Sequence, residues 1–338
     1  MRDFDRPAER AEFAALAALG AQLRGAGLTA RALAAWAGTA RISALPARLE
    51  AIAAAPPPTP AAAVLALLVG GAELARDRLR GVAEPMIEAL VGHGLVERAG
   101  DRLRARLAIV PLGAALVVCD RLDAPVERDL VCWPDDSSHH LATAIPPGRR
   151  AAWLDLACGS AFAPLARPEL AAQIAAVDLN PRAVRCARLG AALSGIAHVA
   201  VDAGDIGEPR AAADLVTCNA PMPEPPAGDP ARLRAAMPEL WRRADPGFFA
   251  RLWPAIAGAV RPGGMAVVHG ALDAVQPALA AAAGERALAI YTPDGVPGFA
   301  VAWWRPDAPA RFAAVRRALT PERPHVDPAD RDAALAPC

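Results

Sequence analysis

The segment Trp153-Leu-Asp-Leu-Ala-Cys-Gly-Ser-Ala161 constrains the fold of this chain more than any other stretch. Its first half belongs to an apolar run, Ala151–Leu156, which predicts a short buried strand. A helix is predicted to follow from about Phe162. Between the two, the backbone can approach a ligand closely, because side chains are small or absent at Ala157, Gly159 and Ala161.

From residue 149 onward, short apolar runs alternate with helical segments, of which Pro181–Leu193 is the clearest. This alternation is typical of a doubly wound parallel sheet. We therefore predict an α/β fold with a Rossmann-like sheet of seven strands. The predicted strands are Ala151–Leu156, Ile174–Asp178, His198–Asp202, Ala213–Asn219, Gly264–His269, Ala287–Tyr291 and Phe299–Trp304.

The region before this sheet is predicted to be mainly helical and to resemble a winged helix. Apolar residues recur at helical spacing over residues 7–54, and a proline-rich connector follows at 55–60. Three further helices are predicted at Ala61–Leu68, Glu73–Arg80 and Glu84–Val91, ahead of a hairpin within 95–107.

The predicted wing is rich in arginine and has two interpretations. Its arginines could contact phosphates, or they could lie on a solvated strand face of a module that packs on another domain or forms a dimer. The second is favoured, because the candidate recognition helix carries Glu84 and Glu88. The arginines are Arg98, Arg102, Arg104 and Arg106.

Four domains are predicted from these patterns. They are a helical, winged-helix-like domain (1–106), a β-rich bridge with a substrate-side helix (107–148), the sheet domain (149–310) and a loosely attached polar tail (311–338). In the bridge, strands are predicted at Leu107–Val110, Ala115–Cys119 and Asp129–Trp133, and a capped helix near Ser137.

Composition limits the function classes. Acidic and basic residues balance at 36 each, which gives no electrostatic case for nucleic acid or an anionic membrane. The chain contains no lysine, which excludes Schiff-base chemistry and a P-loop lysine. Six cysteines without CxxC spacing, no signal-peptide pattern and no apolar run that could span a bilayer predict a soluble cytoplasmic protein.

Four polar residues are predicted at successive carboxyl ends of the strands, where an open parallel sheet binds its ligand. Asp178 comes about 20 residues after the small-residue turn, where a carboxylate can accept both hydroxyls of a ribose. Asp205 could accept an adenine amino group, and Asn219 faces the position of a substrate. Asp155 just before the turn favours a cofactor with an amino-acid tail, whose ammonium group it can hold.

A nicotinamide cofactor is the nearest competitor. Its site requires G-x-G-x-x-G, whereas Pro164 stands here where the third glycine would fall. In the segment before the sheet, His139 or His140 could act as a base or a substrate contact, or could be surface or helix-capping residues. No second ligand cluster stands near them, so no metal site is predicted.

The segment Leu154–Met222 resembles the class I S-adenosylmethionine-dependent methyltransferases, and in particular the HemK/PrmC-like enzymes with an N-terminal small domain. Asp155-Leu-Ala-Cys-Gly-Ser-Ala is similar to their first motif, with alanine for two glycines. Val177-Asp-Leu-Asn-Pro is similar to the second motif and Gly204-Asp-Ile to the third. Asn219-Ala-Pro-Met222 resembles the Asn-Pro-Pro-Tyr motif, with Ala220 and Met222 as departures.

The resemblance implies S-adenosylmethionine as the cofactor. The residues implied to bind it are Asp155, Ala157, Cys158, Gly159, Ser160, Ala161, Asp178, Leu179, Asn180, Asp205, Ile206 and Asn219. The catalytic candidates are Asn219, Pro221, His139 and His140, and the substrate candidates are Ser138, His139, Met222 and Glu224.

The altered fourth motif points away from a planar amide or base and toward another small molecule as the methyl acceptor. We therefore predict a methyltransferase acting on the nitrogen or oxygen of a small molecule by in-line displacement. Two alternatives stay open: a glutamine- or nucleotide-nitrogen methyltransferase of a translation component, and a DNA-binding regulator whose Rossmann-like domain senses a ligand. The winged module could also form a homodimer, although nothing in the sequence requires it.

Overall fold

The protein is described here by a computed structural model, which covers residues 7–39, 44–45, 48–49, 57–124, 129–221, 247–292 and 298–336. Contacts divide the chain into two compact units. Unit 1 comprises residues 1–136, 159–166 and 182–200, and unit 2 comprises residues 137–158, 167–181 and 201–338. This division does not follow the predicted boundaries, because the bridge at 107–148 contributes to both units.

Among the described residues, three helices lie near the start of unit 1, and a threonine caps the first turn of the second and of the third. They are α1 (Pro7–Gly25), α2 (Ala30–Ala37) and α3 (Pro60–Leu68). The Oγ1 of Thr29 accepts a hydrogen bond from the backbone N–H of Ala32 at 3.2 Å, and Thr59 caps α3 in the same way. Proline at the first position of α3 needs no N–H partner, so the predicted helix forms there.

The next part of unit 1 is a three-stranded antiparallel sheet beside a helix. The elements are β1 (Leu74–Ala75), a 3₁₀ turn (Arg76–Leu79), α4 (Glu84–Gly92), β2 (Val96–Ala99) and β3 (Arg102–Ala105), with the strand order β1-β3-β2. The predicted hairpin is confirmed. The prediction of an α-helix over Glu73–Arg80 was wrong, because Leu74 pairs with Leu103 in a strand and a short 3₁₀ turn follows.

The predicted bridge strands are confirmed as β4 (Ala108–Leu112) and β5 (Ala115–Cys119), an antiparallel pair. The third one, Asp129–Trp133, is not a strand. The N–H of Val131 donates to the Oδ2 of Asp120 at 2.8 Å, so a side chain takes the bond that a ladder would need. Asp120 in turn forms an ion pair with Arg182.

The rest of the chain alternates helices and strands as the sequence predicts. The elements are α5 (Asp136–Ala144), β6 (Arg150–Leu156), α6 (Phe162–Ala166), β7 (Ala171–Asp178), α7 (Pro181–Ser194), β8 (Val199–Ala203), β9 (Ala213–Asn219), α8 (Phe248–Ala259), β10 (Val260–Ala271), α9 (Leu272–Ala281), β11 (Glu285–Tyr291), β12 (Phe299–Arg305), β13 (Arg311–Arg316) and α10 (Pro328–Leu335).

Within the described residues, eight of these strands form one sheet in the order β13-β11-β12-β10-β9-β6-β7-β8. The pairs β6–β7, β6–β9 and β9–β10 are parallel, whereas β12 is antiparallel to both of its neighbours. The first strand of this sheet, β6, lies between the second and the fourth, which is the order of a doubly wound Rossmann-like sheet. The predicted fold class is therefore confirmed, with eight strands in place of seven.

The extra strand corrects the prediction of a loose tail at 311–338. β13 pairs in parallel with β11, and Arg317 donates its N–H to the carbonyl of Ile290 at 2.6 Å. The helix α10 then begins at a capping box formed by Asp327 and Asp330. The residues of β13 are exposed or half-exposed, so the strand has no buried apolar face that its sequence could reveal.

No helix in the part of the chain described here combines the length and apolar character needed to cross a membrane.

Candidate functional site

The predicted site residues of unit 2 lie at the carboxyl ends of adjacent strands. Asp178 ends β7, Asp155 lies one residue before the end of β6, and Asn219 ends β9. On the next strand, β10, His269 is opposite Asn219 in the register. These ends border the position where the strand order reverses, between β6 and β9, which is where open α/β sheets bind ligands.

A buried polar chain surrounds Asp155, whose residue is only 3% exposed. Thr217, opposite Asp155 in the register of β9, donates its hydroxyl to Oδ1 of Asp155 and accepts the indole N–H of Trp153 at 2.7 Å. The burial raises the pKa of Asp155 to about 7, an effect that the hydroxyl of Thr217 opposes and the nearby Asp178 reinforces. Among the described residues, Thr217 is the one hydrogen-bond partner of this carboxyl group.

The turn after β6 has an unusual backbone. Ala157 and Ala161 have φ values of 51° and 55°, and Gly159 has a φ of 53°. Glycine adopts this left-handed region freely, whereas alanine in it is strained by about 1–2 kcal/mol. Such strain persists where the surrounding structure imposes it, often at ligand-binding turns. Cys158 and Ser160 complete the turn, and Cys158 donates its N–H to the carbonyl of Val177 at 3.0 Å.

The loop after β7 presents both a carboxylate and an apolar surface. The Oδ1 of Asp178 accepts the backbone N–H of Asn180 at 2.8 Å, which fixes the start of the loop. Leu179 between them is 66% exposed, one of few large apolar side chains in the described residues with such exposure. A carboxylate beside an exposed apolar side chain can bind a ligand that is polar on one edge and flat on its face.

The loop after β8 is held by its own carboxylate. The Oδ1 of Asp205 accepts the N–H of Gly207 at 2.7 Å, and its Oδ2 lies 3.5 Å from the Nη2 of Arg251 on α8. Both oxygens therefore have protein partners, and Ile206 beside them is buried. The predicted contact of Asp205 with an adenine amino group stays a prediction.

Asn219 is at the half-buried end of a second polar chain. Its Nδ2 donates to the Oγ of Ser137 at 2.9 Å and lies 3.5 Å from the Oγ of Ser138. Its Oδ1 lies 2.7 Å from the Nδ1 of His269, whose Nε2 is 2.7 Å from the hydroxyl of Tyr291. The predicted residues Ser138 and Asn219 are thus brought together.

The two predicted histidines are placed differently. His140 is buried, its Nδ1 accepts the backbone N–H of Val326 at 2.9 Å, and its ring stacks on that of Tyr291 at 4.1 Å. The burial lowers the pKa of His140 to about 2, so this ring is neutral at physiological pH. His139 is half-buried and stacks on His325 at 4.9 Å.

The remaining predicted residues are at the limit of the description. Pro221 is half-buried. Met222 and Glu224 lie outside the described residues.

Sequence reasoning missed Ser137, Thr217, His269 and Tyr291 as members of the two polar chains. His269 and Tyr291 had a usable indication, because each is the last residue of a predicted strand.

The arginine-rich surface of unit 1 has a different character. All four wing arginines face carboxylates: Arg98 with Glu88 at 2.6 Å, Arg104 with Asp123 at 2.8 Å, Arg106 with Glu97 at 3.3 Å, and Arg102 with Glu73. The positive charge that phosphates would need is therefore compensated within unit 1 itself.

Comparison with known proteins gives distant structural similarities alone. No family model matches the chain. No curated protein sequence matches it either.

Among solved structures, a 16S rRNA N2 G1207 methyltransferase of T. thermophilus, in complex with AdoMet and guanosine, is similar over 61% of this chain and 46% of its own, with 20% identity and a TM-score of 0.41. A predicted O-methyltransferase of Agrobacterium tumefaciens is similar over 56% of this chain and 97% of its own, with 18% identity and a TM-score of 0.39. The matched region thus spans less than half the length of the rRNA methyltransferase.

Proposed function

We propose that the protein transfers a methyl group from S-adenosylmethionine to a small-molecule acceptor. The observation that carries this proposal is the buried carboxyl group of Asp155 at the end of β6, beside the turn Ala157–Ala161. Among the described residues, the hydrogen-bond partner of this carboxyl group is a neutral hydroxyl. The ionised carboxylate would therefore be stabilised by a cation that a ligand brings. The ammonium group of a cofactor with an amino-acid tail fits this requirement.

The neighbouring strand ends supply the other contacts. Asp178 would accept the ribose hydroxyls, and the exposed side chain of Leu179 would pack on the adenine ring. The small side chain of Ala157 would let the amino-acid tail approach the backbone of the turn closely. A pyrophosphate is a poor match for the same position, because the buried carboxylate precedes the turn.

When bound, S-adenosylmethionine supplies a sulfonium methyl group: the acceptor lone pair bonds to the methyl carbon, the carbon–sulfur bond breaks with its electrons on sulfur, and the acceptor proton leaves to water. The role of the chain is to hold the acceptor close to that methyl group and in line with it. Asn219, Ser137 and Ser138, which hydrogen-bond to one another, would line this position. The neutral ring of His140 stacks on that of Tyr291, and His139 is the more exposed of the two histidines.

The acceptor that we propose is small rather than macromolecular. The compensated arginines of unit 1 and the equal numbers of acidic and basic residues support this, since nucleic-acid binding depends on uncompensated positive charge. Five cysteines of the described residues form no disulfide, which supports a reducing compartment such as the cytoplasm; they are Cys119, Cys132, Cys158, Cys186 and Cys218.

Calorimetric titration with S-adenosylmethionine and, separately, with NADH tests the cofactor. We expect micromolar binding of S-adenosylmethionine and no heat with NADH. Binding of NADH, or of neither compound, would overturn the proposal. The acceptor is then sought by incubation with methyl-labelled S-adenosylmethionine and panels of phenols, carboxylic acids and amines, with ribosomal subunits and DNA as the competing acceptors.

Asp178→Ala tests the site assignment within the same assay. Loss of a carboxylate that accepts hydroxyl groups should weaken S-adenosylmethionine binding by roughly 100-fold, because hydrogen bonds to charged groups contribute about 1.5–3 kcal/mol. The melting temperature should change little, since Asp178 is half-exposed. Asp214→Asn, at the opposite ends of the strands, is the control. Unchanged affinity in Asp178→Ala would contradict the assignment.

A further inference from the structure

The amide of Asn219 is held by the protein on both of its polar sides. On one side, its Nδ2 donates to Ser137 on α5, and on the other, its Oδ1 faces the Nδ1 of His269 on β10. Asn219 itself is half-buried at the end of β9. An exposed amide can rotate by half a turn at little energetic expense, whereas this one could do so only if the Ser137 hydroxyl turned to donate and His269 changed its tautomer.

The contact with Asn219 fixes the proton positions of His269. With the amide oxygen of Asn219 toward the ring, Nδ1 carries the proton, because a carbonyl oxygen can only accept. His269 is 2% exposed, and burial lowers its pKa to about 3, so the ring is neutral and its Nε2 is an acceptor. The hydroxyl of Tyr291 lies 2.7 Å from this nitrogen and donates to it. In this arrangement Tyr291 donates to His269, and His269 donates to Asn219.

Tyr291 is itself immobilised. It is 3% exposed, its ring stacks on His140 at 4.1 Å, and Phe299 on β12 lies on it at 6.0 Å. Three strands thus supply the chain, with β12 separating the strand of His269 from that of Tyr291. Buried and fully bonded chains of this kind are rigid, because a displaced member would leave a polar group unpaired in a nonpolar environment.

We propose that His269 and Tyr291 are positioning residues that hold the amide of Asn219 in a single orientation, with its oxygen toward His269 and its N–H groups toward Ser137, Ser138 and the bound acceptor. Neither residue has to touch the acceptor. Their effect is to keep the exposed amide in place, as the supporting residues of a binding site do. The consequence for methyl transfer depends on the proposed function, whereas the orientation of the amide does not.

Nitrogen NMR of the full-length protein tests the orientation directly. In the wild type, two-bond proton–nitrogen correlations of His269 should give the Nδ1–H tautomer at neutral pH. The two side-chain N–H signals of Asn219 should be distinct and should exchange slowly with water. Tyr291→Phe removes one hydroxyl and keeps the stacked ring. The Asn219 protons should then exchange about threefold to tenfold faster, which is the equivalent of one lost hydrogen bond.

Two variants of His269 separate positioning from general stability. His269→Leu removes the donor to Asn219, whereas His269→Asn keeps an N–H near the position of Nδ1. Exchange of the Asn219 protons should be fastest in His269→Leu and partly restored toward wild type in His269→Asn. Asp214→Asn serves as the matched control, because it removes the cap that holds the N–H groups of Ala151 and Ala152 at the other end of the sheet. It should lower the melting temperature without changing the Asn219 signals.

The outcomes are decisive in either direction. An Nε2–H tautomer of His269, or unchanged Asn219 exchange in both Tyr291→Phe and His269→Leu, would overturn the proposal. If an acceptor has been found, Tyr291→Phe should lower kcat several-fold at unchanged affinity for S-adenosylmethionine. Failure of the wild type to bind S-adenosylmethionine would remove the proposed function and leave the NMR result standing.

Discussion

The arginine-rich surface of unit 1 and the strand-end cluster of unit 2 both concentrate polar side chains, but in opposite ways. The surface consists of charged pairs in contact with water, such as Arg98 with Glu88. The cluster consists of buried or half-buried groups joined by short hydrogen bonds, with neutral histidines at its centre. Solvent screens the first kind of interaction and leaves each pair a small stabilising effect. Burial strengthens the second kind and makes each unpaired member destabilising.

This difference shows which polar residues carry information about function. A run of arginines along a strand is conspicuous in a sequence, yet here each one has a carboxylate partner. A lone threonine, histidine or tyrosine in an apolar strand is inconspicuous, yet here these residues form the buried hydrogen bonds around Asp155 and Asn219. The following predictions test the contrast, beginning with the largest expected effect.

Thr217→Val should be the most damaging change, because it breaks the buried chain while keeping the shape of the side chain. The indole N–H of Trp153 and the carboxyl group of Asp155 would both lose their partner. We expect a loss of about 2–4 kcal/mol in the free energy of unfolding, the combined effect of two unsatisfied buried groups. Urea unfolding measures it. A loss comparable to that of an exposed substitution would remove the contrast between the two regions.

The binding of S-adenosylmethionine should depend on pH through Asp155. The pKa of this group is about 7 in the free protein, so below pH 7 it is protonated and must lose its proton to hold an ammonium group. Affinity should therefore rise about tenfold per pH unit up to pH 7 and level off above it, since one pH unit corresponds to about 1.4 kcal/mol.

The same group should affect the stability of the free protein in the opposite direction. The folded state retains a proton that the unfolded state loses above its ordinary pKa of 3.8, so stability is lost as the pH rises toward 7. Calorimetry in buffers of different ionisation enthalpy should detect release of a proton on binding below pH 7. Asp155→Asn is the control for both effects. A pH dependence of binding or of stability that persists in this variant would assign the titration to another group.

Ala157→Gly should stabilise the protein by up to about 1 kcal/mol. Glycine removes the strain of a φ of 51°, and the greater freedom of glycine in the unfolded chain offsets part of the gain. Ala187→Gly in the helix α7, where the backbone is already favourable, should instead lose about 1 kcal/mol. Thermal unfolding compares the two. Destabilisation by both would mean that Ala157 is held by contacts of its methyl group.

The removal of an exposed charge in unit 1 should have the smallest effect. Arg98→Gln leaves Glu88 in contact with water, so neither the melting temperature nor S-adenosylmethionine binding should change measurably. Titration with duplex DNA at low salt should give no binding for the wild type or for this variant. Salt-dependent binding to the wild type that Arg98→Gln weakens would instead support nucleic-acid recognition by the wing.

The sequence predicts the fold and one half of the site for a clear physical reason. Short apolar runs that alternate with longer helical patterns identify the strands and helices of such a sheet. The last residues of its parallel strands then lie together at one edge of the sheet. Asp155, Asp178 and Asn219 were therefore predictable as neighbours. The bond between Thr217 and Asp155 was not, because it depends on the register between β6 and β9, residues 62 positions apart in sequence.

The errors have the same origin. The two-residue strand β1 exists because Leu74 meets Leu103, and β13 exists because β11 offers an open edge. Neither partner is visible in the local sequence. The stretch 129–133 failed in the opposite sense, since its apolar residues satisfy a strand pattern while Asp120 takes the N–H that a neighbouring strand would need.

The edge strand β13 also affects how strongly the protein resists aggregation. β11 contains the buried apolar residues Ala287, Leu288 and Ala289, and without β13 one whole row of its backbone N–H and C=O groups would be open to a strand from another molecule. β13 occupies that row and ends the sheet with Arg311 and Arg316, whose charges repel a further strand. A chain that stopped before residue 311 would lose this protection against aggregation, together with the Val326 N–H that His140 accepts.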